Sequence, residues 1–200
     1  MSVLGFSRDQ RVSRPLRGAA LLATALSALL AFASFDIGAA EAQAKATREY
    51  DLKAAFLFNF AQFVEWPSEA FPEASTPFVI CVLGDDPFGK SLDEIVANEV
   101  IRKRRIVVER HRDVQEISIC HILYVGASET PRLNHILAAL DGKHILTVGE
   151  TDFFTTHNGI IQFRLIENKL RLRINVEAAK TAKLSISSQL LRQAEIVDTK

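Results

Sequence analysis

Residues 51–67 read Asp51-Leu-Lys-Ala-Ala-Phe-Leu-Phe-Asn-Phe-Ala-Gln-Phe-Val-Glu-Trp66-Pro67, and the rest of the chain is arranged around this stretch. It contains no Gly and no internal Pro, and it is rich in good helix formers. Apolar residues recur at steps of four, four and three, which predicts one helical stripe. The stripe consists of Leu52, Phe56, Phe60 and Phe63. Thr47 is expected to cap the helix. Pro67 should end it and favour an extended Trp66.

Further apolar residues lie off this stripe, namely Leu57, Phe58 and Val64. A helix with apolar residues around most of its circumference must be covered on more than one side. A buried core helix accounts for this pattern. The alternative is that one side docks a second chain, with Phe58, Val64 and Trp66 as the apolar and aromatic anchors that dominate interfaces.

The amino terminus resembles a secretory signal. Basic residues are followed by an apolar run over 18–35 and by small residues that offer Ala-x-Ala cleavage sites. We expect cleavage after Ala44, with cleavage after Ala42 as the second choice. An uncleaved membrane anchor is the alternative, because the apolar run is close to the shortest length that spans a bilayer. The sequence therefore predicts a signal peptide over residues 1–44 and a single periplasmic domain over 45–200.

Charge and cysteine content narrow the class of protein. The chain has 24 Lys and Arg and 24 Asp and Glu, so its formal net charge is zero. A neutral chain argues against a nucleic-acid partner. The two cysteines, Cys81 and Cys120, both lie in the exported part. In an oxidising compartment such a pair predicts one disulfide, and two separate buried thiols are the alternative.

Strand and helix patterns alternate through the middle of the chain. Residues 78–83 form a continuous apolar run of strand length, further strands are predicted at 105–109, 119–125 and 145–148, and helical patterns lie between them at 91–98 and 131–140. Such alternation predicts right-handed crossovers and a mostly parallel sheet flanked by helices, in three layers. If the strands follow the order 2-1-3-4, the first and third are neighbours and Cys81 comes close to Cys120.

The pattern changes near the carboxyl terminus. Apolar and polar residues alternate over 161–165 and 169–174, with Glu167-Asn168 between them as a two-residue turn, which predicts an antiparallel hairpin. Asn175 is expected to cap a short turn around residues 177–180. Ile186, Leu190, Ala194 and Val197 have helical spacing, so the last element is predicted to be an amphipathic helix capped by Ser185, Ser187 or Ser188.

No catalytic site can be assembled from the sequence. Gly84-Asp-Asp-Pro-Phe-Gly89-Lys90-Ser91 matches a phosphate-binding loop, but two aspartates would repel phosphate and Pro87 lacks an N–H to donate. None of the five histidines forms a metal-binding spacing, and Cys120 and His121 point to opposite faces of a strand. There is no serine nucleophile motif. We therefore expect no enzyme, no cofactor and no metal.

The chain resembles the YfiR-like family of exported bacterial regulators. The matching blocks are residues 52–67, 80–89, 120–125, 145–150, 159–163 with 168–175, and 186–191, and they run in order through nearly all of the mature domain. The resemblance implies an α/β sandwich in the periplasm that represses an inner-membrane diguanylate cyclase by binding its periplasmic portion. It also implies a redox-linked bridge between Cys81 and Cys120. Some relatives carry a second cysteine pair, where this chain has residues 152–157 and no cysteine.

A small-ligand binding protein is the alternative to a partner-binding repressor. Open parallel sheets bind ligands at the carboxyl ends of their strands. The candidate ligand-binding residues there are Asp85, Asp86 and Phe88 after the first strand, Ser128 after the third, and Glu150, Phe153 and Phe154 after the fourth. The two functions could coexist if a ligand released the partner. A homodimer is a further arrangement that the sequence leaves open.

Overall fold

The computed structural model describes residues 41 and 43–197. The chain divides into two compact units, residues 1–45 and residues 46–200, and the description below concerns the second. The predicted signal peptide falls almost entirely on residues outside the described part and stays a prediction. In the part of the chain that is described, no helix combines the length and the apolar character needed to cross a membrane.

The first helix, α1, occupies residues 43–63. It begins before Thr47, so the prediction that Thr47 caps it is wrong. It also ends earlier than predicted, because β1 (Val64–Glu65) leaves the helix and pairs antiparallel with β9 (Ser185–Ile186). The pairing supplies partners for backbone groups at the helix end, which sequence spacing alone could not indicate.

The remaining chain builds a large sheet and its covering helices. The sheet strands are β2 (Phe78–Leu83), β3 (Val100–Ile101), β4 (Arg104–His111), β5 (Ile122–Val125), β6 (Leu146–Gly149), β7 (Ile161–Ile166), β8 (Lys169–Asn175) and β10 (Ala194–Val197). The helices after α1 are α2 (Lys90–Val96), α3 (Leu133–Ala139), α4 (Val176–Thr181) and α5 (Ser188–Leu191).

Strand order in this sheet is β10-β8-β7-β6-β5-β2-β4-β3. The pairs β4–β2, β2–β5, β5–β6 and β6–β7 are parallel, whereas β3–β4 and β7–β8 are antiparallel. The first predicted strand, β2, lies between the second and third, β4 and β5. The predicted order 2-1-3-4 and the α/β class are therefore confirmed.

Two apolar clusters cover opposite faces of the sheet. Along β2, Phe78, Ile80 and Val82 belong to the cluster that contains α1, whereas the alternate residues belong to the cluster that contains α3. Alternation along a strand sends successive side chains to opposite faces, so both faces are packed and β2 is apolar throughout. Leu57 and Phe60 of α1 are completely buried in the first cluster, and each contributes about 1.5–3 kcal/mol by burial.

The carboxyl-terminal hairpin is confirmed. Residues 161–166 pair antiparallel with 169–175, and the turn residues Glu167 and Asn168 have φ of 50° and 59°. Positive φ at both central positions is the conformation of the two-residue turn that matches strand twist. Asn175 caps α4, since its Oδ1 accepts from the Ala178 N–H at 2.9 Å.

Two helix predictions need correction. The helix predicted from Pro131 begins at Leu133, because residues 127–132 form a 3-10 helix with Pro131 inside it. The last predicted amphipathic helix is wrong. Only α5 is helical there, with Ser187 as its cap, and β10 then adds to the sheet parallel to β8. Pairing with an available sheet edge overrides the helical spacing of the apolar residues.

Candidate functional site

The amino-terminal half of α1 is held at the carboxyl ends of the central strands by a cluster around Glu150. This carboxylate follows β6 and accepts hydrogen bonds from the Tyr50 hydroxyl at 3.0 Å and the Tyr124 hydroxyl at 2.8 Å. It also forms an ion pair with Lys53, whose ammonium group pairs with Glu49 at 2.6 Å as well. One carboxylate thus joins a helix, a strand end and a loop.

The electrostatics of this cluster follow from its burial. Lys53 is only 2% exposed, and the two carboxylates that contact it offset the free-energy cost of burying its positive charge. Burial, reinforced by the negative charge of Glu150, raises the pKa of both Tyr50 and Tyr124 above the usual tyrosine range. Both phenols are therefore protonated at neutral pH and act as donors. The cluster fixes α1 on the sheet, and each of its polar groups is already engaged by another.

The crevice beside β2 and β5, where ligand binding was predicted, is occupied by the loops themselves. The Gly126 N–H donates to the Leu83 carbonyl at 2.9 Å, and the Asp85 N–H donates to Ser128 Oγ at 3.0 Å. A side chain at Gly84 would lie 2.5 Å from Ser128 Oγ, and Gly84 has φ of 88°. Glycine is required here by conformation and by the close approach of the two loops.

The two aspartates predicted to bind a ligand are paired within the chain. Asp85 contacts Arg112 at 2.6 Å on the surface, and Asp86 contacts Arg110 at 2.6 Å. Arg110 also binds Asp93 of α2, and this hydrogen bond is the main cause of its raised pKa. The pairs draw the loop after β2 toward β4 rather than leaving free carboxylates in the crevice.

The three predicted ligand-binding phenylalanines have different environments. Phe88 is 4% exposed and packs edge-on against Tyr124 at 4.7 Å between ring centres. Phe154 is fully buried against Gly149 and Gly159. These two side chains are packed in the core, so they are not accessible to a ligand in this conformation. Phe153 is the reverse, with 66% exposure and φ of 64°.

Two of the three predicted partner anchors are also buried in the core. Val64 is 0% exposed and Trp66 8% exposed, and the Trp66 indole donates to the His121 carbonyl at 3.2 Å. Their side chains are core residues in this conformation, which corrects the expectation that they reach a partner. Phe58 is half-buried and keeps part of its ring at the surface.

A buried histidine that sequence reasoning did not single out lies next to Trp66. His121 stacks against Phe71, with 4.3 Å between ring centres, and against Phe78, with 4.9 Å, and the two phenyl rings also contact each other. Its Nδ1 accepts from the Val79 N–H at 3.0 Å, and its Nε2 lies 3.1 Å from the Ala70 carbonyl. This pattern requires a neutral ring with the proton on Nε2. Burial lowers the pKa of His121 to about 4.

Acid is therefore expected to destabilise the protein through His121. The folded-state pKa is below the unfolded value of about 6.5, so the contribution is complete above pH 6.5 and is lost as pH falls toward 4. The lost free energy is about 3 kcal/mol. Urea unfolding between pH 7.5 and 4 measures it. The decrease in unfolding free energy per pH unit should be smaller in His121→Asn than in the wild type. It should be unchanged in His135→Gln, which alters an exposed histidine of α3. Equal slopes in all three proteins would contradict this assignment.

A separate cleft of about 550 Å³ lies between α3, α4 and the segment before β7. Its lining includes Asn134, Lys143, Thr147, His157 and Glu177. None of the predicted ligand-binding residues lines it. No sequence pattern indicates this cleft, because its walls come from helix ends that are distant in the chain.

Among the residues that the structure describes, one group of side chains has donor atoms close enough for a metal ion. A sulfur of Cys81, a carboxylate oxygen of Glu109 and a ring nitrogen of His111 all lie within 4.8 Å of one another. The predicted disulfide between Cys81 and Cys120 is present, with 6.1 Å between the Cα atoms, so the Cys81 sulfur is bonded to its partner. The sequence signal for this group is the Glu-x-His spacing on β4. Histidine spacings alone do not reveal it, because its other donors are a carboxylate and a cysteine.

Comparison with known proteins identifies the family model that this chain fits. The model described as YfiR/HmsC-like matches residues 50–195. No curated protein gives a significant match. A solved structure, a conserved domain protein from Vibrio cholerae O1 biovar El Tor, is similar with a TM-score of 0.47 and 15% identity. That similarity covers 66% of this chain and 57% of the Vibrio chain.

Proposed function

The chain belongs to the YfiR/HmsC-like family, and from this premise we propose that it is a periplasmic regulator without catalytic activity. It represses an inner-membrane diguanylate cyclase by binding the periplasmic portion of that enzyme, which lowers cyclic-di-GMP. The observation that carries the proposal is the extent of the family match, which includes nearly every element from α1 to β10.

Two features support the periplasmic location. The amino terminus has the charge and hydropathy pattern of a signal peptide over residues 1–44, ahead of a single domain over 45–200. The Cys81–Cys120 disulfide fits an oxidising compartment, where such bonds form and persist.

The state of the polar groups at the strand ends supports a binding function rather than catalysis. Glu150 is engaged by two tyrosines and a lysine, and Asp86 is engaged by Arg110. A catalytic acid or base needs a proton path to a substrate, whereas these groups hold elements of the fold together.

The partner surface is proposed to include Phe58 and Phe153. Phe58 retains partial exposure on α1, and Phe153 is the most exposed of the large apolar side chains in the described residues, at 66%. Exposed aromatic rings are typical anchors at interfaces. Val64 and Trp66 are buried in the core at the carboxyl end of α1, so they support the helix rather than contact the partner directly.

The regulatory step requires only differential affinity. If the protein binds one conformation of the cyclase's periplasmic portion more tightly than another, it shifts the cyclase toward that conformation. A shift from about 99% active to about 99% inactive cyclase requires a difference in binding free energy of about 5.5 kcal/mol between the two states.

Deletion of the gene should raise cyclic-di-GMP and surface attachment, and the wild-type gene should reverse both. Phe153→Asp should fail to reverse them and should lose the cyclase in a pull-down from membranes. Val100→Asp is the matched control, because Val100 is 62% exposed on the edge strand β3. Unchanged cyclic-di-GMP after deletion, with the membrane cyclases expressed, would contradict the repressor function.

A small-ligand binding function is the second candidate, and the cleft between α3 and α4 favours it. Its volume of about 550 Å³ lies within the usual range for ligand pockets. The ligand could then release the partner. Native mass spectrometry of the exported protein would reveal a bound small molecule, and Thr181→Trp, which narrows the cleft, should abolish binding if this site is used.

A further inference from the structure

We propose that Cys81, Cys120, Glu109 and His111 form a Zn²⁺ site when the disulfide is reduced. The proposal does not depend on the regulatory function. Parallel strands bring the donors together, since Cys81 on β2 is the register partner of Glu109 on β4. His111 lies two residues farther along β4, so its side chain leaves the same face of the sheet as that of Glu109.

The donor atoms are already close to the spacing that zinc requires. The Cys81 sulfur, a Glu109 oxygen and a His111 nitrogen all lie within 4.8 Å of one another. Bonds of 2.0–2.3 Å in a tetrahedron correspond to donor separations of about 3.3–3.8 Å. Shifts of about 1 Å are therefore sufficient. The Cys120 sulfur is bonded to that of Cys81 but lies more than 4.8 Å from at least one of the other two donors, so it has to turn toward them after reduction to supply the fourth ligand.

His111 carries a buried nitrogen that the fold does not satisfy. Its Nε2 is inaccessible to solvent and forms no hydrogen bond, although a Glu109 oxygen lies 3.4 Å away. A buried polar atom without a partner is uncommon and costs free energy, and a metal ion would satisfy it. On the other side of the ring, a Glu116 oxygen lies 3.9 Å from Nδ1. This distance is too long for a hydrogen bond, and a small shift of the ring toward Glu116 would give the carboxylate contact that metal-binding histidines usually have.

The donor set selects the metal. Two thiolates with an imidazole and a carboxylate favour zinc over magnesium or calcium, which prefer oxygen donors. Cys81 is fully buried and Cys120 is 8% exposed, whereas the Glu109 side chain is 41% exposed. An ion would therefore enter from the Glu109 side and be held at the buried sulfurs.

Zinc binding follows reduction in two balanced steps. A phosphine reductant attacks one sulfur and breaks the S–S bond. Water then supplies the oxygen of the phosphine oxide and the two protons of the resulting thiols. The two thiols next bind Zn²⁺ as thiolates and release two protons. The disulfide receives two electrons, the phosphine is oxidised, and the zinc ion does not change its oxidation state.

Zinc titration of the exported chain, with and without prior phosphine reduction, tests the proposal. The reduced protein should bind one Zn²⁺ per chain and release two protons from its thiols, and the oxidised protein should bind none at this site. His111→Ala and Glu109→Gln should each weaken binding at least about tenfold. His135→Ala is the control for loss of a histidine elsewhere, and it should bind like the wild type.

Two results would overturn the proposal. One is equal zinc binding before and after reduction. The other is unchanged affinity in both His111→Ala and Glu109→Gln, which would mean that the cysteines bind without these residues. If reduction unfolds the chain, Zn²⁺ should restore the folded circular dichroism spectrum at one equivalent, and failure to do so also counts against the site. The Co²⁺ form provides an independent check, since thiolate ligation gives an intense charge-transfer band.

Discussion

Replacing Glu150 with alanine is expected to lower the free energy of unfolding by about 3–5 kcal/mol. The variant leaves the Lys53 ammonium, which is 2% exposed, with Glu49 as its remaining carboxylate. It also removes the acceptor of two tyrosine hydroxyls, one of them on the fully buried Tyr124. A buried charge that loses one of its two carboxylate partners and hydroxyl donors left without an acceptor are among the most destabilising changes in proteins. Urea unfolding at neutral pH measures the loss.

Lys53→Met provides the matched comparison. Methionine fills a similar volume, and Glu150 keeps its two tyrosine donors in this variant. The Glu150 side chain is also 17% exposed, so water can solvate part of its charge. We expect a loss below about 2 kcal/mol, because removing a buried cation costs less than leaving it unpaired. If Lys53→Met lost more unfolding free energy than Glu150→Ala, the charge that needs its partner would be the Glu150 carboxylate and not the Lys53 ammonium.

The Glu150 cluster also shows which parts of the candidate site could be predicted from the sequence. Glu150 was named as a candidate ligand-binding residue, because it follows the fourth strand and open parallel sheets bind ligands at the carboxyl ends of their strands. The partners of Glu150 could not be predicted, since Lys53 lies 97 residues away and on a helix whose direction across the sheet is not encoded by periodicity. Position along a strand is local information, whereas contact between a helix and a loop is set by tertiary packing.

The same distinction separates the correct and incorrect secondary-structure predictions. The hairpin at 161–175 was predictable because its turn and its alternation are both local. Residues 186–197 have helical spacing as well, but Ala194–Val197 add to β8. Val64 and Trp66 were assigned to a partner because their apolar character was read without knowledge of β9 and of the aromatic cluster that cover them.

Loss of the Cys81–Cys120 disulfide should have the second large effect, about 4 kcal/mol of unfolding free energy for a sequence separation of 39 residues. The bond joins Cys81 in the middle of β2 to Cys120, which lies two residues before β5. It therefore restricts the conformations of the unfolded chain between these two neighbouring strands. The double variant Cys81→Ser with Cys120→Ser measures the loss without reductant. Reduction of the wild-type protein should produce a similar decrease and should leave the double variant unchanged.

A chelator in the unfolding buffer is essential to this comparison, because bound zinc would offset part of the loss in the reduced wild-type protein. The serine variant cannot bind zinc through thiolates, so a chelator should not alter its stability. If the chain is the repressor proposed above, the single variant Cys81→Ser should raise cyclic-di-GMP in cells by part of the amount seen on deletion, since a less stable repressor would leave more cyclase unbound. Full stability of the double serine variant would contradict the structural role of the bridge, and any redox effect on the repressor would then have to arise from the thiols themselves.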